Sequence, residues 1–246
     1  VRTDSYFDNS PLASSGLPSK EELELLDVWK DQIPSEVFTE TFTPPTTDGS
    51  GNDRKNLLKA KEILEKEGWI VENGKLFKDG QEFKFEFLIV SPSDEKIALA
   101  YQSNLKKLGI TMDVRTVDSS QYQERLLSYD FDMIKRYWGV SLSPGNEQQF
   151  YWGSEVGQKD GSRNYPGINS PAVDALIEKL INASNRQELT TAIHALDRVL
   201  LWGHYVVPLY HSNKDRIAYW DFFEYPDEIP LYGIVIESWW INKDKQ

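Results

Sequence analysis

The chain has no cysteine in 246 residues, which excludes disulfides, thiolate metal sites and cysteine catalysis. No apolar run approaches the roughly 20 residues that a membrane-spanning helix requires. Positive charge is the minority, with 27 Lys and Arg against 39 Asp and Glu and a net charge of -12. No basic cluster stands out that could neutralise a phosphate backbone, so nucleic acid is not an expected partner. Histidine is scarce: His194 lies in a helical pattern, and His204 and His211 flank an apolar run without a zinc spacing. Gly-x-Ser-x-Gly, Gly-x-Gly-x-x-Gly and phosphate-loop patterns are all missing. Asp48, Ser50 and Asn52 alternate as at the start of a calcium loop, but the sixth and twelfth positions are Asp53 and Lys59 instead of Gly and Glu. These absences leave no catalytic residue, metal or cofactor to expect. A carboxylate pair of a carbohydrate-active enzyme stays open, because so many acidic residues offer pairs without singling one out.

A regular alternation is present. Ser19 with Glu22 makes a capping-box spacing ahead of a helix, and Leu57, Ala60, Ile63 and Leu64 form an apolar stripe in "DRKNLLKAKEILEKEGW", residues 53–69, where Gly68 ends the helix. Asn73-Gly74 and Asp79-Gly80 mark turns. Strand patterns over 83–90, 110–117 and 131–138 alternate with helix patterns over 94–107 and 119–128. That period predicts βαβ units, an α/β fold with a parallel or mixed sheet flanked by helices. Helices are expected over 171–182 and 186–202, then strands in "HYVVPLYHS" and "DRIAYW". The expected organisation is an irregular lead-in over 1–19, an α/β region over 20–204 and a strand-bearing tail over 205–246. The start at Val1, with neither initiator Met nor leader, suggests a piece of a longer protein.

In open α/β sheets ligands collect beyond the carboxyl ends of the strands. Three such ends are readable: Ser91-Pro92-Ser93, Asp118-Ser119-Ser120, and Tyr137-Trp138-Gly139 with its loop. The stretch "RYWGVSLSPGNEQQFYW", residues 136–152, crowds aromatics around small polar residues. Gly139, Ser141, Ser143, Gly145 and Asn146 would admit a ligand to the backbone, while Trp138 and Trp152 would supply flat walls. The competing reading is that these aromatics fill a core beneath a long loop.

Four segments in order, "DRKNLLKAKEILEKEGW" with "DGQEFKFEFLIVS", "FDMIKRYWGVSLSPGNEQQFYWGS", "SRNYPGINSPAVDALIEKL" and "ALDRVLLWGHYVVPLYH", resemble the family 5 extracellular solute-binding proteins. "SYFDNSPLASSGLPS", "SLSPGNEQ" and "DRVLLWGHYVVP" are similar to the YejA-type branch, linked to oligopeptide and microcin C uptake. The resemblance implies a periplasmic-binding-protein-like type II lobe, with return strands running to an absent amino-terminal lobe. It implies a periplasmic receptor that takes a peptide or peptide-like ligand to an ABC permease in the inner membrane. Oligosaccharides are the alternative ligand class. The implied ligand residues on this side of the cleft are Arg136, Trp138, Gly139, Ser141, Ser143, Asn146, Asn164, Ser91 and Ser93. One departure stands out: many peptide-binding members carry Trp-x-x-Asp here, and Ser141 occupies the Asp position. Asp118, Glu147 or a residue of the absent amino-terminal lobe would have to replace that charge. Lys135 stands three before the Trp, where the oligopeptide receptors place a basic residue, with Arg136 beside it. Strand alternation turns at most one of the two to the cleft.

Overall fold

The computed structural model describes the whole chain except Asn52, Gln158, Asn213, Asp215, Leu231, Tyr232 and Gln246. The chain divides into a larger unit, Ser5–Val206, and a smaller one made of Val1–Asp4 with Val207–Gln246.

The larger unit opens with an irregular segment and helix α1 (Lys20–Leu26), whose first turn is closed by the Ser19 hydroxyl accepting from the Glu22 amide. A short α2 (Glu36–Thr39) and the longer α3 (Arg54–Lys66) follow. Asp53 caps α3 by accepting from the Asn56 amide. Strands β1 (Ile70–Glu72), β2 (Lys75–Lys78) and β3 (Gln81–Glu82) make an antiparallel meander through turns at Asn73-Gly74 and Asp79-Gly80, where all four residues have positive φ.

The central sheet is parallel, in the order β5-β4-β6, with β4 at Lys84–Ile89, β5 at Thr111–Thr116 and β6 at Met133–Ile134. Helices α4 (Pro92–Lys106) and α5 (Ser119–Leu127) are its crossovers. Phe87 and Ile89 face one apolar cluster and Leu88 the other, so the middle strand is buried on both faces. The expected strand 131–138 is shorter than its pattern. Met133 and Ile134 pair with Phe87 and Leu88, and in that register β4 extends only one residue further, to Ile89 opposite Lys135, so from Arg136 on the chain has no β4 residue beside it. It leaves the sheet as an irregular segment.

The quoted stretch is not a loop throughout. It ends in helix α6 (Glu147–Trp152), followed by α7 (Ser154–Gly157). Tyr151 and Trp152 are buried there against α8 (Pro171–Ile181) and α9 (Arg186–Trp202), which carry the largest core. Trp152 is therefore core, not a ligand wall. The stripes Val173, Leu176, Ile177, Leu180 and Ile193, Leu196, Val199, Leu200 are almost fully buried, which explains why these two helices hold the unit together.

The smaller unit contains β7 (Phe223–Glu224) paired antiparallel with β8 (Trp240–Ile241), and a single bridge between Arg2 and Tyr210. The expected strands in 204–212 and 215–220 are otherwise irregular among the described residues, with Asp215 lying outside them. Pro208 has no amide hydrogen to give a ladder, and no further described strand lies alongside these segments. Asn52, in the calcium-like alternation, also lies outside the described residues.

Candidate functional site

The carboxyl ends of the parallel strands lead into the amino ends of two helices. Ser91 caps α4, its hydroxyl accepting from the Ser93 amide and lying 2.8 Å from the Ser93 hydroxyl. Asp118 caps α5 by accepting from Ser120 N at 2.9 Å and Gln121 N at 3.0 Å. Its carboxylate is thereby turned to its own helix. Beyond β6, the Lys135 ammonium pairs with Asp94 in the first turn of α4. This pair ties the Ser91–Ser93 corner to the segment that follows β6, and it uses up the lysine's charge.

Arg136 differs from its neighbour. Its side chain is exposed, and its guanidinium lies over the Tyr165 ring, 4.9 Å from the centroid, with the Tyr165 hydroxyl at 3.4 Å. It also faces Tyr122, whose phenol is pushed up by burial in spite of this cation. Among the described residues no carboxylate lies within ion-pair distance of Arg136. Two tyrosines thus hold a cation in place without neutralising it.

Tyr137 is 89% exposed. Trp138 is half-buried: its indole tilts against Trp152 at 4.9 Å between centroids and donates to Arg163 O at 3.4 Å. One edge of Trp138 is anchored in the core and the remainder faces out. From Gly139 to Asn146 the chain is exposed except at Leu142, Pro144 and Gly145. Local bonds shape it. The Ser141 hydroxyl accepts from Ser143 N at 3.0 Å, and Gly145 N donates to both Glu147 carboxylate oxygens at 3.0 Å. Arg186, at the start of α9, donates to Leu142 O. Asn146 precedes α6 without capping it and stays exposed. Glu147 is committed to the loop itself through Gly145 N, while Asp118 is exposed and gives one carboxylate oxygen to the cap of α5.

Asn164 has a different position from the other expected residues. It is fully buried, and its side chain is spent on backbone: it donates to Gly153 O at 3.0 Å and Ile168 O at 2.8 Å and accepts from Ile168 N at 2.9 Å. It brackets the turn that carries Tyr165. Tyr165 and Tyr122, which orient Arg136, were not singled out in the sequence; an aromatic before Pro166-Gly167 reads simply as a turn neighbour. The structure thus gathers three clusters on these strand ends and the loop: the α4 corner with Lys135, Arg136 with its tyrosines, and Trp138 with the loop it starts. Two surface depressions found elsewhere are lined by α3 residues around Leu58 and, in the smaller unit, by residues around Tyr219 and Trp240; neither includes this loop.

Comparison with known proteins follows this geometry. The family model described as bacterial extracellular solute-binding proteins, family 5 middle, matches residues 30–160. The protein y4wM of Sinorhizobium fredii is 48% identical over 97% of this chain and 36% of its own length. The probable peptide-binding protein YejA of Agrobacterium fabrum is 43% identical over 98% of the chain and 40% of its own length. The chain therefore spans about two-fifths of the curated relatives it matches. Among solved structures, the oligopeptide-binding protein AppA of Bacillus subtilis, in complex with a nonapeptide, superposes with a TM-score of 0.60 at 22% identity, over 91% of this chain and 45% of that one. That likeness establishes the fold, a periplasmic-binding-protein-like α/β architecture.

Proposed function

Because the chain belongs to the family 5 bacterial extracellular solute-binding proteins, a class of binding proteins, we propose that it forms part of a receptor for peptides or peptide-like compounds. The observation that carries this reading is the largely exposed loop Gly139–Asn146, which begins directly after Trp138 and two residues beyond Arg136 with its tyrosine shelf. A peptide is a run of amides with side chains and two charged ends. The exposed hydroxyls of Ser141 and Ser143 and the open backbone around Gly139 offer partners for amides. Tyr137 and Trp138 offer flat apolar surface for side chains. Arg136 offers a bidentate partner for a carboxylate, or for the phosphate of a conjugated peptide such as microcin C. Ser91, Ser93 and Asn146 extend the polar lining. Asn164 serves from below, by fixing the turn that holds Tyr165. The ligand class agrees with the names of the YejA relative and of the AppA complex.

In the longer protein this face would close one side of a cleft, with an amino-terminal lobe on the other. Closure about a hinge would present the loaded form to an ABC permease in the inner membrane. Such a receptor would work in the periplasm. Oligosaccharides are the second ligand class that aromatic walls could serve.

The test is a fluorescence titration of the full-length protein with a pool of tripeptides, beside its Trp138→Ala and Arg136→Gln variants. Losing one charge-assisted pair weakens binding by about tenfold or more, and losing the indole wall does similar damage. Peptide affinity unchanged in both variants would overturn the assignment of this face.

A further inference from the structure

The two groups proposed to meet ligand, the Arg136 guanidinium and the Trp138 indole, rest on one short turn, 161–168. The Tyr165 ring lies beneath Arg136, and Arg163 O accepts the Trp138 indole N–H at 3.4 Å. The turn belongs to no strand or helix, so no ladder fixes it. It is held from two sides instead. On the helical side, Arg163 N donates to Phe150 O at 3.2 Å and the Asn164 side chain donates to Gly153 O at 3.0 Å. A Cβ on Gly157 would lie 2.5 Å from Asn164 Nδ2, so that side is closely packed. On the sheet side, Gly161 N donates to Leu127 O at 2.9 Å, and the Tyr129 and Ser162 hydroxyls are bonded to each other. Ser162 is buried, and its Oγ also accepts from Asn164 N at 3.3 Å. Tyr129 has φ +57°, a left-handed backbone that is uncommon outside glycine. Such a conformation persists where its surroundings fix it, and the Tyr129 ring stands 6.0 Å from both Phe131 and Tyr165.

We propose that Tyr129 is a positioning residue for the ligand face: its hydroxyl, through Ser162, sets the sheet side of the turn, and the turn sets both the Arg136 guanidinium and the Trp138 indole. The proposal rests on the assignment of those two groups to the ligand. The path is short. Ser162 Oγ holds the Asn164 amide, Asn164 brackets the residues up to Ile168, and Tyr165 lies inside that bracket. A displaced Tyr165 ring changes the distance on which its attraction for the guanidinium depends. Arg163, directly after Ser162, carries the carbonyl that anchors the indole. One hydroxyl pair beneath the surface thus serves two groups above it. A merely stabilising bond would change the folding equilibrium and leave the folded face as it is; a positioning bond changes the face.

The test uses the full-length protein with Tyr129→Phe, which keeps the ring and deletes the hydroxyl. Ser162→Ala removes the same bond from its other end and decides the matter if Tyr129→Phe does not fold. Without ligand, the Trp138 indole N–H resonance, identified by its loss in Trp138→Ala, is expected to move in both variants. Affinity for a tripeptide pool is expected to fall roughly threefold to tenfold, the worth of one neutral hydrogen bond. That fall is expected to be smaller in the Arg136→Gln and Trp138→Ala backgrounds, because a group that acts through another adds little once the other is gone. An indole resonance that stays in place, an affinity that does not fall, or a fall of the same size in every background would overturn the role of Tyr129 and leave the peptide receptor standing. A resonance that moves in a protein that binds no peptide would overturn the receptor itself, and the ligand role of Tyr129 with it.

Discussion

Asn164 and Arg136 show how much a residue's surroundings decide its role. Both were expected to meet ligand, but one is sealed under the surface and the other lies on it against Tyr165, with no carboxylate beside it among the described residues. Asn164→Ala leaves Ile168 N, Ile168 O and Gly153 O without their partner, which costs about 2–4 kcal/mol in denaturant unfolding. An unchanged midpoint would show that these bonds are dispensable. The loss of a charge at Ser141 was readable from the residue itself. The choice between Lys135 and Arg136 was not, because it depends on Asp94, which is 41 positions from Lys135 in sequence, and on Tyr165. His194 adds a pH term to stability. Its folded value lies above that of the unfolded chain, so its contribution is complete below the ordinary histidine value of about 6.5 and fades as pH rises through the folded value. The stability difference between wild type and His194→Ala, measured by urea unfolding, should therefore be larger at pH 5.5 than at pH 8.5. A difference that grows with pH would contradict this.

At the scale of elements, regular patterns predicted well and endings predicted poorly. The alternation of three strands with two helices was read correctly because burial on one or both faces imposes a period. The early stop of β6 was not foreseen, since a strand can run little further than its neighbour, and β4 extends only one residue past the partner of Ile134. Helix α6 escaped notice because six residues are too few to establish a helical period. Gly109 is an ending that can be tested. It has φ +81°, and a Cβ there would lie 3.0 Å from Leu76 N, so Gly109→Ala should cost at least about 1 kcal/mol through strain at the junction of meander and parallel sheet. Leu196→Ala, in the buried stripe of α9, should cost about 2–5 kcal/mol. Thermal unfolding compares the two. A neutral Gly109→Ala would mean that the backbone there relaxes freely.

For the whole molecule, the α/β class and the family were within reach of the sequence, whereas the tail was not. Strands in 204–220 were expected from β-branched and aromatic composition, but composition cannot supply a pairing partner. The proposed ligand face of this chain is open: its loop, tryptophan and arginine would meet a ligand from one side only. Affinity in a receptor of this kind comes from enclosure. Residues 1–246 alone should therefore bind peptides far more weakly than the longer protein. Equal affinity would show that this face suffices. The central claim is that the receptor takes peptides, and its most direct test is a calorimetric titration of the full-length protein with a tripeptide pool beside a pool of oligosaccharides. Saturable heat with peptides alone is the predicted result, and saturable heat with oligosaccharides alone would contradict it.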